Sequence, residues 1–153
     1  MKTIMKLISC VLSLMLVLSV LTGCNDNSTK AYTFSVDNGD SIKVSLNTMD
    51  NYDISSELPF TITCNGELQS QGTFILGDAF AQYKSVVEND EKAEMIDSGE
   101  KDGNDYIFWC YNGSEYNYAI LIADSNTGIV LGNVISEESA KECFDRLTIS
   151  VSD

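Results

Sequence analysis

Apolar and polar residues alternate along much of the chain, with the period of strands that bury one face. The first two such segments cover 31–37 and 41–46, and Asn38-Gly39 between them suits a tight hairpin because both residues accept positive φ angles. The same alternation predicts further strands at 60–64, 68–76, 93–98, 105–111, 116–123, 128–134 and 147–151. The sequence therefore predicts about nine strands, joined mostly by antiparallel hairpins.

Two segments have helical spacing instead. The first covers 77 to about 87, repeats apolar residues every three or four positions and has Asp78 as its predicted N-cap. The second follows Ser136, whose hydroxyl makes a favourable N-cap. We therefore predict an α+β fold, in which two helices pack on a mainly antiparallel sheet of about seven to nine strands.

The order of these elements has a counterpart in a known family. Early hairpins, one helix, a meander and a short helix leading into a closing strand resemble the PsbP-like α/β/α sandwich, and the resemblance covers residues 31–151. Members of that group are mostly non-catalytic accessory or binding proteins, so the resemblance implies a binding role. It depends on element order, and it assigns no site residue to this chain.

The start of the chain has a different character. Residues 7–22 are apolar and uncharged, and they follow Lys2 and Lys6, which is the layout of a secretory signal. A helix of this length is about 24 Å long, shorter than the ~30 Å hydrocarbon core of a bilayer. The segment therefore favours a cleaved signal over a membrane-spanning helix.

The apolar segment ends in Leu21-Thr22-Gly23-Cys24, which resembles the lipobox of bacterial lipoproteins. In that family the cysteine thiol receives diacylglycerol, and the chain is cut just before it. The resemblance implies that residues 1–23 are a signal peptide, that cleavage falls between Gly23 and Cys24, and that Cys24 is the lipidated N-terminus. An uncleaved anchor with an incidental cysteine is the alternative.

The lipobox also predicts the domain organisation and the location. A short flexible tether would cover 24–30, and one globular domain would cover 31–153. The expected location is extracytoplasmic, anchored to the cell membrane by the lipid on Cys24. Anchoring to the outer membrane of a Gram-negative cell and anchoring in a single-membrane cell are both compatible with the sequence.

The chain is strongly acidic. Its formal charge is −14, and loss of the two lysines in the signal peptide would change it to −16. Such a surface repels nucleic-acid phosphates and anionic lipid headgroups. We therefore expect no nucleic-acid partner, and we expect membrane attachment to depend on the acyl chains.

The sequence contains few candidate catalytic or metal-binding residues. The chain contains no histidine, which excludes Ser-His-Asp and Cys-His pairs and every histidine metal site. Asp124 begins a calcium-like loop, but Ile129 and Ile135 occupy the positions of its glycine and closing glutamate. Four further acids crowd one turn and fit either a solvated loop or a weak calcium site: Asp97, Glu100, Asp102 and Asp105. We predict no cofactor, no metal and no catalytic residue.

Three cysteines follow the lipobox: Cys64, Cys110 and Cys143. Cys64 and Cys143 fall on the apolar faces of a predicted strand and a predicted helix, so we expect small buried side chains with free thiols. One disulfide among the three is the alternative. A zinc site is not expected, because the sequence has no Cys-x-x-Cys spacing and no fourth ligand.

Aromatic residues concentrate on the hairpin over 105–123. Alternation places Phe108 on one face and Trp109 and Tyr111 on the other. If only one face is covered, the hairpin exposes a surface for a ligand or partner, formed by Trp109, Tyr111, Tyr116 and Tyr118. If a helix covers the second face as well, the cluster is core.

These features predict a non-catalytic lipoprotein, anchored outside the cytoplasm, that binds a partner protein or a small ligand. The alternative is a small extracytoplasmic hydrolase that uses paired carboxylates or a cysteine such as Cys110. A carboxylate enzyme would need one acid with a raised pKa, and a thiol enzyme would need an exposed cysteine with a lowered pKa.

Overall fold

The computed structural model describes residues 28–152. The predicted signal peptide and Cys24 lie outside this range. The elements within it are β1 (Thr29–Ser35), β2 (Ser41–Asn47), a 3₁₀ turn (Met49–Asn51), β3 (Tyr52–Ile54), β4 (Phe60–Cys64), β5 (Glu67–Leu76), α1 (Gly77–Asn89), β6 (Ala93–Lys101), β7 (Asn104–Tyr111), β8 (Glu115–Leu121), β9 (Thr127–Asn133), α2 (Glu137–Arg146) and β10 (Leu147–Val151). Neither helix in the described part of the chain is long and apolar enough to cross a membrane.

The strands form two antiparallel sheets. The larger has seven strands in the order β3-β4-β5-β9-β8-β7-β6, and the smaller has three in the order β1-β2-β10. The predicted α+β class is therefore confirmed. The prediction missed β3, which has only three residues, carries the charged Asp53 at its centre and lies in a segment interpreted as an acidic loop.

The seven-stranded sheet is covered on both faces. One face packs on the three-stranded sheet and on α2, through a core that includes Ile42, Phe60 and Leu131. The other face packs on α1, where Val87 contacts a smaller cluster around Ile107. The inner strands β7 and β8 are therefore buried on two sides, which explains why their sequences contain nearly continuous apolar runs.

An aromatic stack joins the larger sheet to α2. The rings of Phe108 and Tyr118 are parallel, with centroids 4.1 Å apart, and Phe144 of α2 stacks on the other side of Tyr118 at the same distance. Stacked aromatic pairs add stability beyond the area that they bury. The stack therefore helps to fix the position of α2 against β8.

The N-cap prediction is confirmed for one helix and wrong for the other. Ser136 caps α2 as predicted, because its hydroxyl accepts a hydrogen bond of 3.0 Å from the Ser139 amide. The cap predicted for α1 is wrong: Leu76 occupies the N-cap position, no side chain caps the helix, and Asp78 lies within the first turn. Its carboxylate still stands where the helix dipole favours negative charge.

The folded domain begins earlier than Ala31, its predicted first residue. Thr29 and Lys30 belong to β1, and the Ser28 carbonyl accepts a hydrogen bond of 2.6 Å from the Thr48 amide. Alternation alone missed these residues because Thr29 and Lys30 are polar. Thr29 and Lys30, which the predicted tether over 24–30 includes, therefore belong to the folded domain.

Arg146 connects the end of α2 to the turn before β3. Its guanidinium donates to the Met49 carbonyl at 2.8 Å and to carboxylates of Asp50 and Glu142, at 2.7 and 2.6 Å. The same group lies 4.0 Å from the ring centroid of Tyr52. A planar group that bonds along its edges and stacks on its face cannot be replaced by an ammonium.

A second set of polar contacts joins the β1–β2 hairpin to the β8–β9 turn. The Thr127 hydroxyl donates to an Asp40 carboxylate oxygen at 2.7 Å, and Asn38 donates to the Thr127 hydroxyl at 2.8 Å. The hydrogen bond from Thr127 is the main reason why the pKa of Asp40 is lowered from its ordinary value. These contacts stabilise the ionised form of Asp40.

The first prediction concerns Arg146. We expect Arg146→Lys to lower the free energy of unfolding by about 1–2 kcal/mol, because the ammonium cannot replace the several hydrogen bonds along the guanidinium edge and the stacking on Tyr52. The control is Lys141→Ala, which removes an exposed ion pair with Glu137 and a contact 5.8 Å from the Phe108 ring centroid, and it should change stability less than Arg146→Lys does. Urea denaturation measures both. Equal effects of the two substitutions would contradict the role given to Arg146.

The second prediction concerns pH. A carboxyl whose pKa is lowered by folding contributes stability that is present above its unfolded pKa of about 3.9 and is lost as pH falls through the folded pKa. Asp40→Asn should therefore be less stable than the wild type at neutral pH, and the difference should shrink below about pH 4. Unfolding free energies measured from pH 7 to pH 2 check this. A difference that stays constant over that range would refute it.

Candidate functional site

The structure separates the four residues of the predicted aromatic surface. Trp109 is buried under α1, with its ring centroid 5.9 Å from that of Tyr83, and Tyr111 is half-buried in the same cluster. The alternative in which a helix covers this face therefore applies at Trp109. The predicted exposure of Trp109 is therefore wrong, because this residue lies in the core.

The two tyrosines of β8 lie on the opposite face. Phe108 pairs with Tyr118 and Cys110 pairs with Tyr116, so the tyrosines share the face of Phe108 rather than that of Trp109. Tyr118 is buried, and burial raises the pKa of its hydroxyl. Tyr116 is half-buried and packs against the main core. The register of β7 and β8 thus excludes one continuous aromatic surface.

The three cysteines of the described chain are free thiols. Cys110 and Cys143 are buried, and burial raises the pKa of the Cys143 thiol, which disfavours its nucleophilic thiolate form. Cys64 is half-exposed rather than buried, and its sulfur lies 3.7 Å from the Asp50 carbonyl oxygen. Its position at the last residue of β4 explains why alternation overestimated its burial.

The four acidic residues predicted to crowd one turn do not form a metal-binding group. Asp97 accepts a hydrogen bond of 2.9 Å from the Tyr106 hydroxyl, while Glu100 and Asp105 face each other across β6 and β7. Within residues 28–152, no three acidic or cysteine side chains are grouped closely enough to hold a metal ion. The Asp124 segment forms the turn between β8 and β9.

A concave site lies beside α1, where the helix no longer covers the sheet. Gln71 of β5, Gly132 of β9 and Asn117 of β8 are register partners in one row, and Trp109 of β7 is the next residue in that row. The helix covers Trp109 but leaves Gln71 exposed. The result is a cleft of about 230 Å³, with Leu68, Glu115 and Val134 at its rim. We call it the amide cleft.

Gly132 creates the depth of the amide cleft. A Cβ atom at this position would lie 3.4 Å from the side-chain oxygen of Asn117, so any larger side chain would occupy the space above the sheet. The Asn117 amide nitrogen donates to the Glu115 carbonyl at 3.2 Å, which fixes the orientation of the side chain. The floor of the cleft is therefore a glycine, with the oriented amide of Asn117 beside it.

A buried polar network supports the rim. Asn133 donates to the hydroxyls of Ser70 and Ser139 at 3.0 and 2.9 Å, and its side-chain oxygen accepts from the Ile135 amide at 2.8 Å. The Ser139 hydroxyl in turn donates to Gln69 at 2.9 Å. A fully bonded buried network rigidifies its surroundings. These bonds hold the strand residues that line the cleft in place before a ligand binds.

The amide cleft offers side-chain amides and one carboxylate to a ligand. Within the described residues, the side chain of Gln71 makes no hydrogen bond and Glu115 makes no ion pair, so both can bond a ligand. Glu115 is the one ionisable residue among those that line the cleft. The site favours an uncharged or cationic polar group and disfavours an anion.

A scan against protein-family models gives no match, and a search of curated proteins gives no significant match. The functional conclusion therefore depends on the geometry and the sequence of this chain.

Trp109 provides the prediction for this region. We expect Trp109→Ala to lower the free energy of unfolding by about 3–5 kcal/mol, because it leaves a large cavity between α1 and the sheet. Circular dichroism in urea measures the change without the tryptophan signal. The control Tyr116→Phe removes only one hydroxyl from a half-buried residue and should change stability by about 1 kcal/mol or less. Wild-type stability in Trp109→Ala would restore the interpretation of this residue as surface.

Proposed function

We propose that this protein is a non-catalytic lipoprotein, held outside the cytoplasm by diacylglycerol on Cys24, that binds a small ligand or one side chain of a partner protein in the amide cleft. The observation that carries the binding role is the cleft itself, in which Gln71 and Asn117 flank the space left by Gly132. The lipobox at residues 21–24 supports the anchor.

The size and charge of the cleft define the ligand. A volume of about 230 Å³ suits a small molecule or a single side chain, and it is below the usual range of drug-sized sites. The acidic chain carries a formal charge of −14, which disfavours anions near the site. The ligand group in the cleft should therefore be a neutral or cationic hydrogen-bonding group.

The described side chains offer more support for binding than for hydrolysis. A glycosidase needs one carboxyl whose pKa is raised. The pKa values of Asp40 and Asp53 are lowered instead, by hydrogen bonds from Thr127 and Lys30. The raised pKa of the buried Cys143 thiol likewise opposes nucleophilic use.

The fold resemblance supports the same conclusion. With α1 on one face of the large sheet and α2 beside the small sheet on the other, the layers resemble the PsbP-like α/β/α sandwich. Members of that group are mostly non-catalytic accessory or binding proteins. We infer a similar accessory role here.

Filling the cleft tests the proposal. Gly132→Val places a branched side chain over the floor while preserving strand geometry, so it should abolish the recovery of molecules that co-purify with the native protein. The matched control is Gly99→Val on the edge strand β6, where the clearance for a Cβ atom is similar, 3.3 Å to the Tyr106 hydroxyl. Native mass spectrometry of the proteins purified from membranes, and of their crosslinked partners, compares the three forms. The same bound set in Gly132→Val and in the wild type would contradict the proposal.

A further inference from the structure

The first described residue fixes where the tether meets the domain. Ser28 bonds to Thr48, and the following 3₁₀ turn bonds to the β4–β5 hairpin, where the Asn65 amide donates to the Asn51 carbonyl at 3.0 Å. Ser28 therefore lies at the end of the large sheet where β4 ends and β5 begins. We call this the anchor end, and it comprises residues 28, 48–51, 65–68 and 134–135.

Four of the nine exposed large apolar side chains of the described residues lie at the anchor end. They are Met49 in the 3₁₀ turn, Leu68 at the start of β5, and Val134 and Ile135 directly after β9. Ser70 of β5 pairs with Asn133 of β9, so the two strands reach this end together. Because neighbouring strands are about 4.8 Å apart, β9 lies only about 15 Å across the sheet from β3.

We propose that the anchor end lies against the membrane surface, with Met49, Leu68, Val134 and Ile135 in contact with the interfacial region of a zwitterionic bilayer. This inference rests on the proposed acylation of Cys24. Four residues from Cys24 to Ser28 reach at most about 14 Å, whereas a domain of this size is about 35 Å across. Only the half of the domain that contains Ser28 can reach the lipid.

The contact is apolar rather than electrostatic. Asp50 and Glu67 at the anchor end repel anionic headgroups, and the whole chain is strongly acidic. Four partly exposed side chains would bind a membrane weakly on their own. The acyl anchor keeps them at a high local lipid concentration, so a weak contact is enough to fix the orientation.

This orientation places the amide cleft at the edge of the membrane contact. The cleft opens from the face of the sheet beside α1, at Gln71 and Asn117, whereas the anchor end is formed by strand ends and the loops between them. Leu68 and Val134 belong to both the rim and the anchor end. A ligand would therefore enter close to the headgroup layer.

Site-specific quenching tests the orientation. The full chain is produced in cells that contain the lipoprotein-modifying enzymes and is reconstituted in phosphatidylcholine vesicles with a nitroxide-labelled lipid. Fluorophores are attached through Val134→Cys or Ile135→Cys, which replace side chains that are 74% and 57% exposed. Cys64→Ser removes the half-exposed native thiol, while Cys110 and Cys143 are buried.

The matched controls are Leu58→Cys and Leu76→Cys, which replace side chains that are 53% and 59% exposed at the opposite end of the domain. Quenching at positions 134 and 135 should be several-fold stronger than at 58 and 76. Equal quenching at both ends, or none at either end in protein that floats with the vesicles, would overturn the membrane contact alone. Protein that fails to float would overturn the acyl anchor and this inference together.

Discussion

The unequal covering of the seven-stranded sheet is the constraint on which the other features depend. One face is closed by the three-stranded sheet and α2, whereas α1 closes only part of the other, around Trp109. Burial of β7 and β8 on both faces forms the core, and this burial removes the aromatic hairpin from the surface. The same partial covering leaves the row of Gln71, Gly132 and Asn117 open and so creates the amide cleft.

The sequence predicted where the strands and helices lie better than it predicted which of their faces are buried. Alternation located β2 and β4 closely, and helical spacing located both helices, because each pattern is set by the face that the element buries. It missed β3, which is short and charged, and it began the domain after the polar residues Thr29 and Lys30. Alternation shows that one face of a strand is apolar. It does not show whether a second layer also covers the opposite face, as α1 does at Trp109.

Sequence patterns could not predict the amide cleft, for a different reason. Gln71, Asn117 and Gly132 are polar or small, lie on three separate strands and meet only because β9 is inserted between β5 and β8. No local spacing encodes that insertion. The available signal was weak: Gly132 interrupts the apolar run of β9, at a position where a close approach or an open floor explains the missing side chain.

The location and the membrane contact both assume that one thiol carries two fatty chains. Intact-mass analysis of the protein purified from membranes tests this assumption most directly. The account predicts a chain that begins at Cys24 and carries the added mass of diacylglycerol. A chain that retains residues 1–23, or one that begins at Cys24 without the lipid in cells that contain the modifying enzymes, would contradict it.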